Sequence, residues 1–246
     1  MTLPLDPAHD GVRGRASSRG PRSAAHAASD YLHELILTGV LRPGDRIHQD
    51  EVAKALGVSR QPVGVALIRM EADGLVDIRP RRGVYVGAFG EDTVRDSYQL
   101  IGVLQGYAVG RVAHHRDPAV VERLEALVAA MHAASSAYEV EGLMVAFYRT
   151  VNHAAGSKRL RSLMRGLDRF VPGSFFARFP EVVESSTPGA ERVLDAIRSG
   201  DAERGERAVR DMWRRAGDIV VRDLHTRGVF PTPASEGRAD WTRESP

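Results

Sequence analysis

The chain has 246 residues and no cysteine, enough length for one large or two smaller domains with a real core, and no means of making disulfides or thiolate metal sites. Its formal charge is only +2, so bulk charge does not announce a nucleic-acid partner, and any basic footprint must come from where individual arginines sit. Neither an apolar run of transmembrane length nor an apolar leader is present, which gives the expectation of a soluble, cytoplasmic protein without a membrane partner.

Residues 1–23 are rich in Gly, Ser, Arg and Pro without periodicity, the composition of a disordered arm. From Ala24 to Thr38 the spacing of Tyr31, Leu32, Leu35 and Ile36 predicts a helix with one apolar face. Leu41-Arg42-Pro43-Gly44 reads as a turn, with Ile47 available to dock it. A short helix over Gln49 to Leu56 is expected to bury Val52, Ala55 and Leu56, and a second one to bury Val63, Ala66, Leu67 and Met70. Between them Gly57 can take the left-handed conformation that ends a helix, and Ser59 is a good N-cap for the next. Pro62 falls in the first turn, where its missing N–H costs nothing. Gly74 closes the second helix, with Leu75 folding back on Met70. The alternation of Val76 with Ile78 and of Val84 with Val86 then predicts a two-stranded ribbon carrying Arg81 and Arg82 at its tip. Two helices too short to stand alone, a third wall before them and a basic hairpin behind them make a winged helix-turn-helix over residues 24–88.

Leu41-Arg42-Pro43-Gly44-Asp45, Leu56-Gly57-Val58-Ser59-Arg60, Pro62-Val63, Ala66-Leu67, Glu71, Gly74-Leu75-Val76 and Arg82-Gly83 closely resemble the DNA-binding domain of the GntR family of bacterial transcriptional regulators. The helical remainder resembles the all-helical FCD domain of the FadR-like subfamily. The resemblance implies a homodimer that binds a double-stranded DNA operator with an affinity set by a small-molecule effector.

In such a motif the start of the second helix reaches base edges in the major groove. Here that places Ser59, Arg60, Gln61 and Pro62 at the duplex, with Arg60 suited to guanine and Gln61 to adenine. Arg81, Arg82 and Gly83 on the wing are placed for phosphates or the minor groove, and Arg69 matches a family position near the backbone. The family pattern has an arginine two residues after the proline and then a glutamate; Gly64 and Val65 stand there instead. That departure removes an expected contact, costs roughly 0.5–1 kcal/mol of helix propensity at Gly64, and prevents an operator sequence from being borrowed.

After a short linker at Gly87-Ala88-Phe89-Gly90, residues 89–225 read as an antiparallel bundle of six or seven helices, so the fold class is mainly α. The first of them, Glu91 to Ala113, is apolar nearly all round, with Leu100, Ile101, Val103, Leu104, Tyr107 and Val112, as for a helix buried against its own bundle and a partner subunit. Later stripes run through Leu124 and Met131, Met144 and Val151, and Leu160, Leu163, Met164 and Phe170. Pro172-Gly173 breaks the pattern, no helix is assigned from Phe175 to Pro188, and two helices carry Val193 to Ile197 and Val209 to Val220. Residues 226–246 read as a disordered tail.

The comparison with the helical domain fails at the effector site. Its relatives place an Asp-x-x-x-His pair and two later histidines around a divalent metal. The corresponding positions here are Met144, Tyr148, Ala190 and Met212, while an expected arginine and glutamate are Ile101 and Gln105. The resulting expectation is a metal-free pocket without a cofactor, largely apolar, lined by Ile101, Gln105, Met144, Tyr148, Ala190 and Met212. The same residues also suit a plain core. A carboxylate ligand would need a cation, for which Arg111, Arg149 and Arg165 are candidates.

The histidines His114, His115, His132 and His153 form no catalytic constellation, and no nucleotide fingerprint appears, which argues against an enzyme. The leading expectation is therefore a homodimeric, ligand-controlled repressor. The alternatives are a DNA-binding regulator whose effector pocket has degenerated, constitutive or under a protein partner, and a metabolite-binding protein that has lost DNA binding.

Overall fold

The computed structural model describes residues 23–167 and 176–230. The arm up to residue 22, the break at Pro172-Gly173, Phe170 and the tail beyond residue 230 lie outside the described residues. The described chain runs α1 (Ala24–Leu37), β1 (Arg46–Ile47), α2 (Gln49–Leu56), α3 (Arg60–Ala72), β2 (Val76–Arg79) and β3 (Gly83–Val86), then α4 (Glu91–His115), α5 (Pro118–Ala133), α6 (Ala137–Ala154), α7 (Lys158–Leu167), α8 (Pro180–Ser199) and α9 (Ala202–Thr226). A 3-10 turn, Phe176–Arg178, precedes α8.

The winged module is built as its periodicity dictates. Ser23 caps α1 by accepting from the His26 amide, and Leu32 and Ile36 are fully buried against Val63, Ala66, Leu67 and Met70 of α3. Gly57 ends α2 at φ 66°, and the Val58 amide returns to the Ala53 carbonyl at 3.0 Å, which reverses the chain within three residues. At the end of α3 the Leu75 amide reaches the Met70 carbonyl at 3.0 Å, the same closure.

Two details differ from the sequence reading. In α2 the inward residues are Val52 and Ala53, with Ala55 only half-buried; a stripe at i, i+1, i+4 fits the helical period as well as one at i, i+3, i+4, and contact with the neighbouring helices decides. Ser59 stands at the N-cap of α3 in an extended conformation, yet its hydroxyl makes no cap bond.

The wing is a three-stranded antiparallel sheet in the order β1-β3-β2. Val76 pairs with Val86 and Ile78 with Val84, so the expected apolar face exists. The added strand pairs Arg46 with Tyr85 and Ile47 with Val84, which explains how Ile47 docks. A two-residue strand has no legible period, and only its partner reveals it.

The bundle contains six α-helices among the described residues, and its backbone is the antiparallel pair α4 and α9, 25 residues each. Gly102, Gly106 and Gly110 line the face of α4 that meets α9. A Cβ at Gly102 would lie 3.1 Å from the Trp213 Cβ and 3.3 Å from the Arg210 Cα. The absence of side chains lets two long helices approach closely. Their pairing also joins the two halves of the molecule: Tyr98, Ala216, Val220 and Leu224 belong to the core of the winged module, whereas Ile101, Val109, Val112 and Val209 belong to the bundle core.

Three bundle assignments are corrected. The stretch left without a helix becomes helical from Pro180, with Pro188 inside α8; Pro188 and Glu184, whose carbonyl the proline cannot bond, are both exposed residues. Leu163 is 44% exposed and points away from the core that takes Leu160 and Met164. The tail does not begin at residue 226: Val229 is buried in the module core, its amide bonded to the Leu224 carbonyl at 3.0 Å, and the Phe230 ring packs edge-on to Phe89. On α4, Leu100, Val103 and Tyr107 remain exposed and share one face. No helix among the described residues is long and apolar enough to cross a membrane.

Candidate nucleic-acid interface

The buried face of α3 fixes what its other face presents. With Val63, Ala66, Leu67 and Met70 turned into the module, Gln61, Val65 and Ile68 point outward at i, i+4 and i+7, and Arg60 projects from the first turn. Ser59, Arg60 and Gln61 are exposed at the amino end of the helix, where unpaired backbone N–H groups and the helix dipole favour an anion. Pro62 is half-buried beside them. Arg69 is exposed on the flank of α3, away from the outward stripe.

Arg60 has a neighbour that the sequence did not reveal. Its Nε lies 2.9 Å from Oδ1 of Asp50 in the first turn of α2, both side chains being largely exposed. An exposed pair of this kind contributes little to stability. What it does is hold the guanidinium on one side while the terminal nitrogens remain at the surface of the motif.

The wing adds a second basic group. Arg81 and Arg82 are exposed at its turn, Arg81 in the left-handed conformation at φ 61°. The turn is braced from inside, because the Tyr85 hydroxyl donates to the Arg82 carbonyl at 3.0 Å and the Arg79 guanidinium covers the Tyr85 ring at 4.6 Å. Gly83 has φ 111°, and a Cβ there would lie 3.1 Å from Nε of Arg46. Gly83 thus leaves room for Arg46, which the pairing of β1 with β3 carries onto the wing. Arg46 escaped the sequence reading because it joins the wing only through that long-range pairing. Arginines from β1, β2 and the turn are thereby concentrated in a chain whose net charge is nearly zero.

The six residues named for the effector pocket come from α4, α6, α8 and α9. Ile101, Tyr148 and Ala190 are buried in the bundle core, Met144 and Met212 are half-buried against it, and Gln105 is 4% exposed. The Tyr148 hydroxyl donates to the Met212 Sδ at 3.4 Å, and the Trp213 indole N–H donates to Oε1 of Gln105. Burial pushes the Tyr148 phenol above its ordinary range, an effect that nearby Arg192 partly offsets, so the group stays a neutral hydroxyl. Two thioethers, a neutral buried phenol and a methyl group do not make a donor set for a divalent metal.

Among the described residues, Arg192 of α8 is a cation close enough to act on Tyr148. Arg111 lies with its guanidinium 6.0 Å from the Tyr107 ring, Arg149 borders an open groove with Val120 and His153, and the side chain of Arg165 lies outside the described residues. Trp213 connects the layer to the winged module, since its ring centroid is 5.9 Å from that of Tyr98, a member of the module core.

Comparison with known proteins agrees with this layout. Residues 24–86 match the family described as bacterial regulatory proteins, gntR family, and residues 96–215 match the FCD domain. An uncharacterised HTH-type transcriptional regulator of Mycobacterium tuberculosis is 28% identical over 203 residues, covering 82% of this chain and 83% of the relative. The HTH-type transcriptional repressor RspR of Escherichia coli is 40% identical over 67 residues, 27% of each chain. Among solved structures, E. coli McbR/YncC aligns with a TM-score of 0.61 at 17% identity over 83% of this chain and all of that one. A GntR family member from Pseudomonas syringae aligns at 0.51 and 22% identity over 89% and 93%. At these identities the structural likeness speaks for the fold.

Proposed function

The chain belongs to the GntR family of bacterial regulatory proteins, a DNA-binding transcriptional regulator with an FCD domain, and from that premise we propose a homodimeric repressor, working in the cytoplasm, whose operator affinity is set by a small molecule in the bundle. The single observation that carries the DNA-binding reading is the outward placement of Arg60 and Gln61 at the start of α3, beside a wing bearing Arg46, Arg81 and Arg82. Arg60 and Gln61 would read guanine and adenine edges, each bidentate contact being worth about 1–3 kcal/mol of discrimination. Ser59 and Arg69 would contact phosphates, and Arg81 and Arg82 phosphates or the minor groove, with Pro62 and Gly83 shaping the backbone beside them.

Pairing is supported by the exposed apolar face of α4. Leu100, Val103 and Tyr107 are each about half exposed and lie on one side of a helix whose other side is wholly buried. A second copy of the same face would cover it, and the two-fold so formed would present two winged modules to one side of a duplex. The repressor assignment rests on the relative RspR, which is named a repressor and is 40% identical over 67 residues.

Effector control would act through α9. A ligand entering the layer of Ile101, Gln105, Met144, Tyr148, Ala190 and Met212 must break or replace the bonds from Tyr148 to Met212 and from Trp213 to Gln105. Trp213 packs on Tyr98, so a ligand preferring one position of α9 also prefers one placement of the module. The close packing of that layer favours a second reading, in which the pocket is filled and the protein binds DNA constitutively or answers to a protein partner. A thermal-shift screen against metabolites separates the two: a compound that raises the melting midpoint and weakens operator binding belongs to the first.

The DNA assignment is tested with a site selected from a random duplex pool by the wild-type protein. Arg60→Ala is expected to lose about 5- to 150-fold of its preference for that site over random duplex. Arg82→Ala should weaken both alike and reduce the salt slope by about one. Wild-type discrimination retained in Arg60→Ala would refute the assignment.

A further inference from the structure

Beyond Arg60 and Gln61, the outward face of α3 carries no hydrogen-bonding side chain for two turns. Val65 is 36% and Ile68 is 61% exposed, on the stripe set by Gln61, while the opposite face is fully buried and cannot draw them in. Gly64 beside them has no atom within 4 Å of where its Cβ would be, so that side of the helix is open to an approaching surface. Large exposed apolar residues on a helix flanked by arginines need a partner that is anionic at its edges and apolar in its interior. A DNA major groove meets that description, because its walls are phosphates and its floor offers one apolar group, the C5-methyl of thymine.

We propose that Val65 and Ile68 are specificity-determining residues that read thymine methyl groups in the operator, next to the bases read by Arg60 and Gln61. The inference rests on the DNA-binding function stated above and extends the same interface along α3. Gly64 contributes by what it lacks: without a side chain there, the helix backbone comes closer to the groove and Val65 reaches its floor. From Gln61 to Ile68 the helix advances about 10 Å, or about three base-pair steps. The thymines should therefore lie within about three positions of the base contacted by Gln61, with the Val65 contact nearer to it and the Ile68 contact farther out.

Uracil in place of thymine removes the methyl group and leaves every hydrogen-bonding position intact. The site selected by wild-type protein is resynthesised with uracil at each thymine in turn, and binding is measured for wild type, Val65→Ala and Ile68→Ala. Both variants change exposed side chains, and circular dichroism checks their folding. For wild type, uracil at one or two positions is expected to weaken binding by about fourfold per methyl, the factor for removing one buried carbon group from contact. The variants should bind the thymine site more weakly than wild type does and lose the response, each at its own position. Uracil that costs the variants as much as it costs wild type, or costs nothing anywhere, overturns the proposal while leaving DNA binding intact. A change of molecular mass in Ile68→Ala without a change in uracil response also overturns it, and assigns the patch to contact between copies. If no site is enriched from the pool, the DNA-binding reading falls and this inference falls with it.

Discussion

Arg60 shows how one side chain can be prepared for a task by a neighbour that adds almost nothing to stability. Asp50 lies at the surface with its Oδ1 2.9 Å from Nε of the guanidinium. If Arg60 reads a guanine edge as proposed, the charge of Asp50 opposes DNA in general while its bond to Arg60 limits where the guanidinium can turn. The two effects separate on substitution. Asp50→Ala should raise affinity for random duplex and lower the ratio of selected-site to random binding by about threefold or more, since the freed guanidinium gives up part of a contact worth about 1–3 kcal/mol. Fluorescence anisotropy on the two duplexes measures both, and an unchanged ratio would remove Asp50 from the recognition surface. The arginine was legible in the sequence because a helix-turn-helix fixes which residues start its second helix. The aspartate was not, since ten residues and a chain reversal separate it from its partner.

Among the elements, α4 and α9 decide how the molecule is joined. Their approach depends on Gly102, where any larger side chain meets the Trp213 Cβ at 3.1 Å and backbone at 3.3 Å. Gly102→Val should therefore destabilise the fold by about 1–3 kcal/mol of overpacking, lowering the melting midpoint by several degrees for a chain of this size. A midpoint unchanged in a thermal melt would mean that the helices can separate at little cost. The glycines at 102, 106 and 110 repeat at helical spacing, but the sequence reading, which followed the large apolar residues of α4, did not single them out.

Elsewhere, legibility follows the length of the period. Helices α1, α3, α5 and α6 carry long apolar stripes and stand where those stripes put them. The two-residue β1 has no stripe at all, and α8 was obscured because Pro188 normally ends a helix, whereas here the helix continues through it on its exposed side. The inward turn of Ala53 and the outward turn of Leu163 depend on which neighbour arrives, information that lies in other parts of the chain.

At the scale of the whole molecule, the winged module and the bundle share α4 and α9, so that any force on one is felt by the other. The exposed apolar face of Leu100, Val103 and Tyr107 lies on the same α4. If it joins two copies, Val103→Glu buries a charge at the centre of the contact and should yield monomers by light scattering. Their operator affinity should fall by at least about tenfold, because two modules no longer bind as one unit. A variant that remains dimeric would move the interface to another surface. The turn and wing motifs were legible because their glycines and alternating apolar residues are local signals. Whether the effector layer opens for a ligand was not legible, because Tyr148, Met212 and Gln105 would read the same in a cavity as in a core.

The most direct test is hydroxyl-radical footprinting of the wild-type protein on its selected site, with the mass of the complex measured in parallel. Two chains per duplex and two protected segments related by a two-fold, one or more helical turns of about 34 Å apart, are the predicted result. A single protected segment with one chain bound, or uniform protection without sequence preference, would contradict the account.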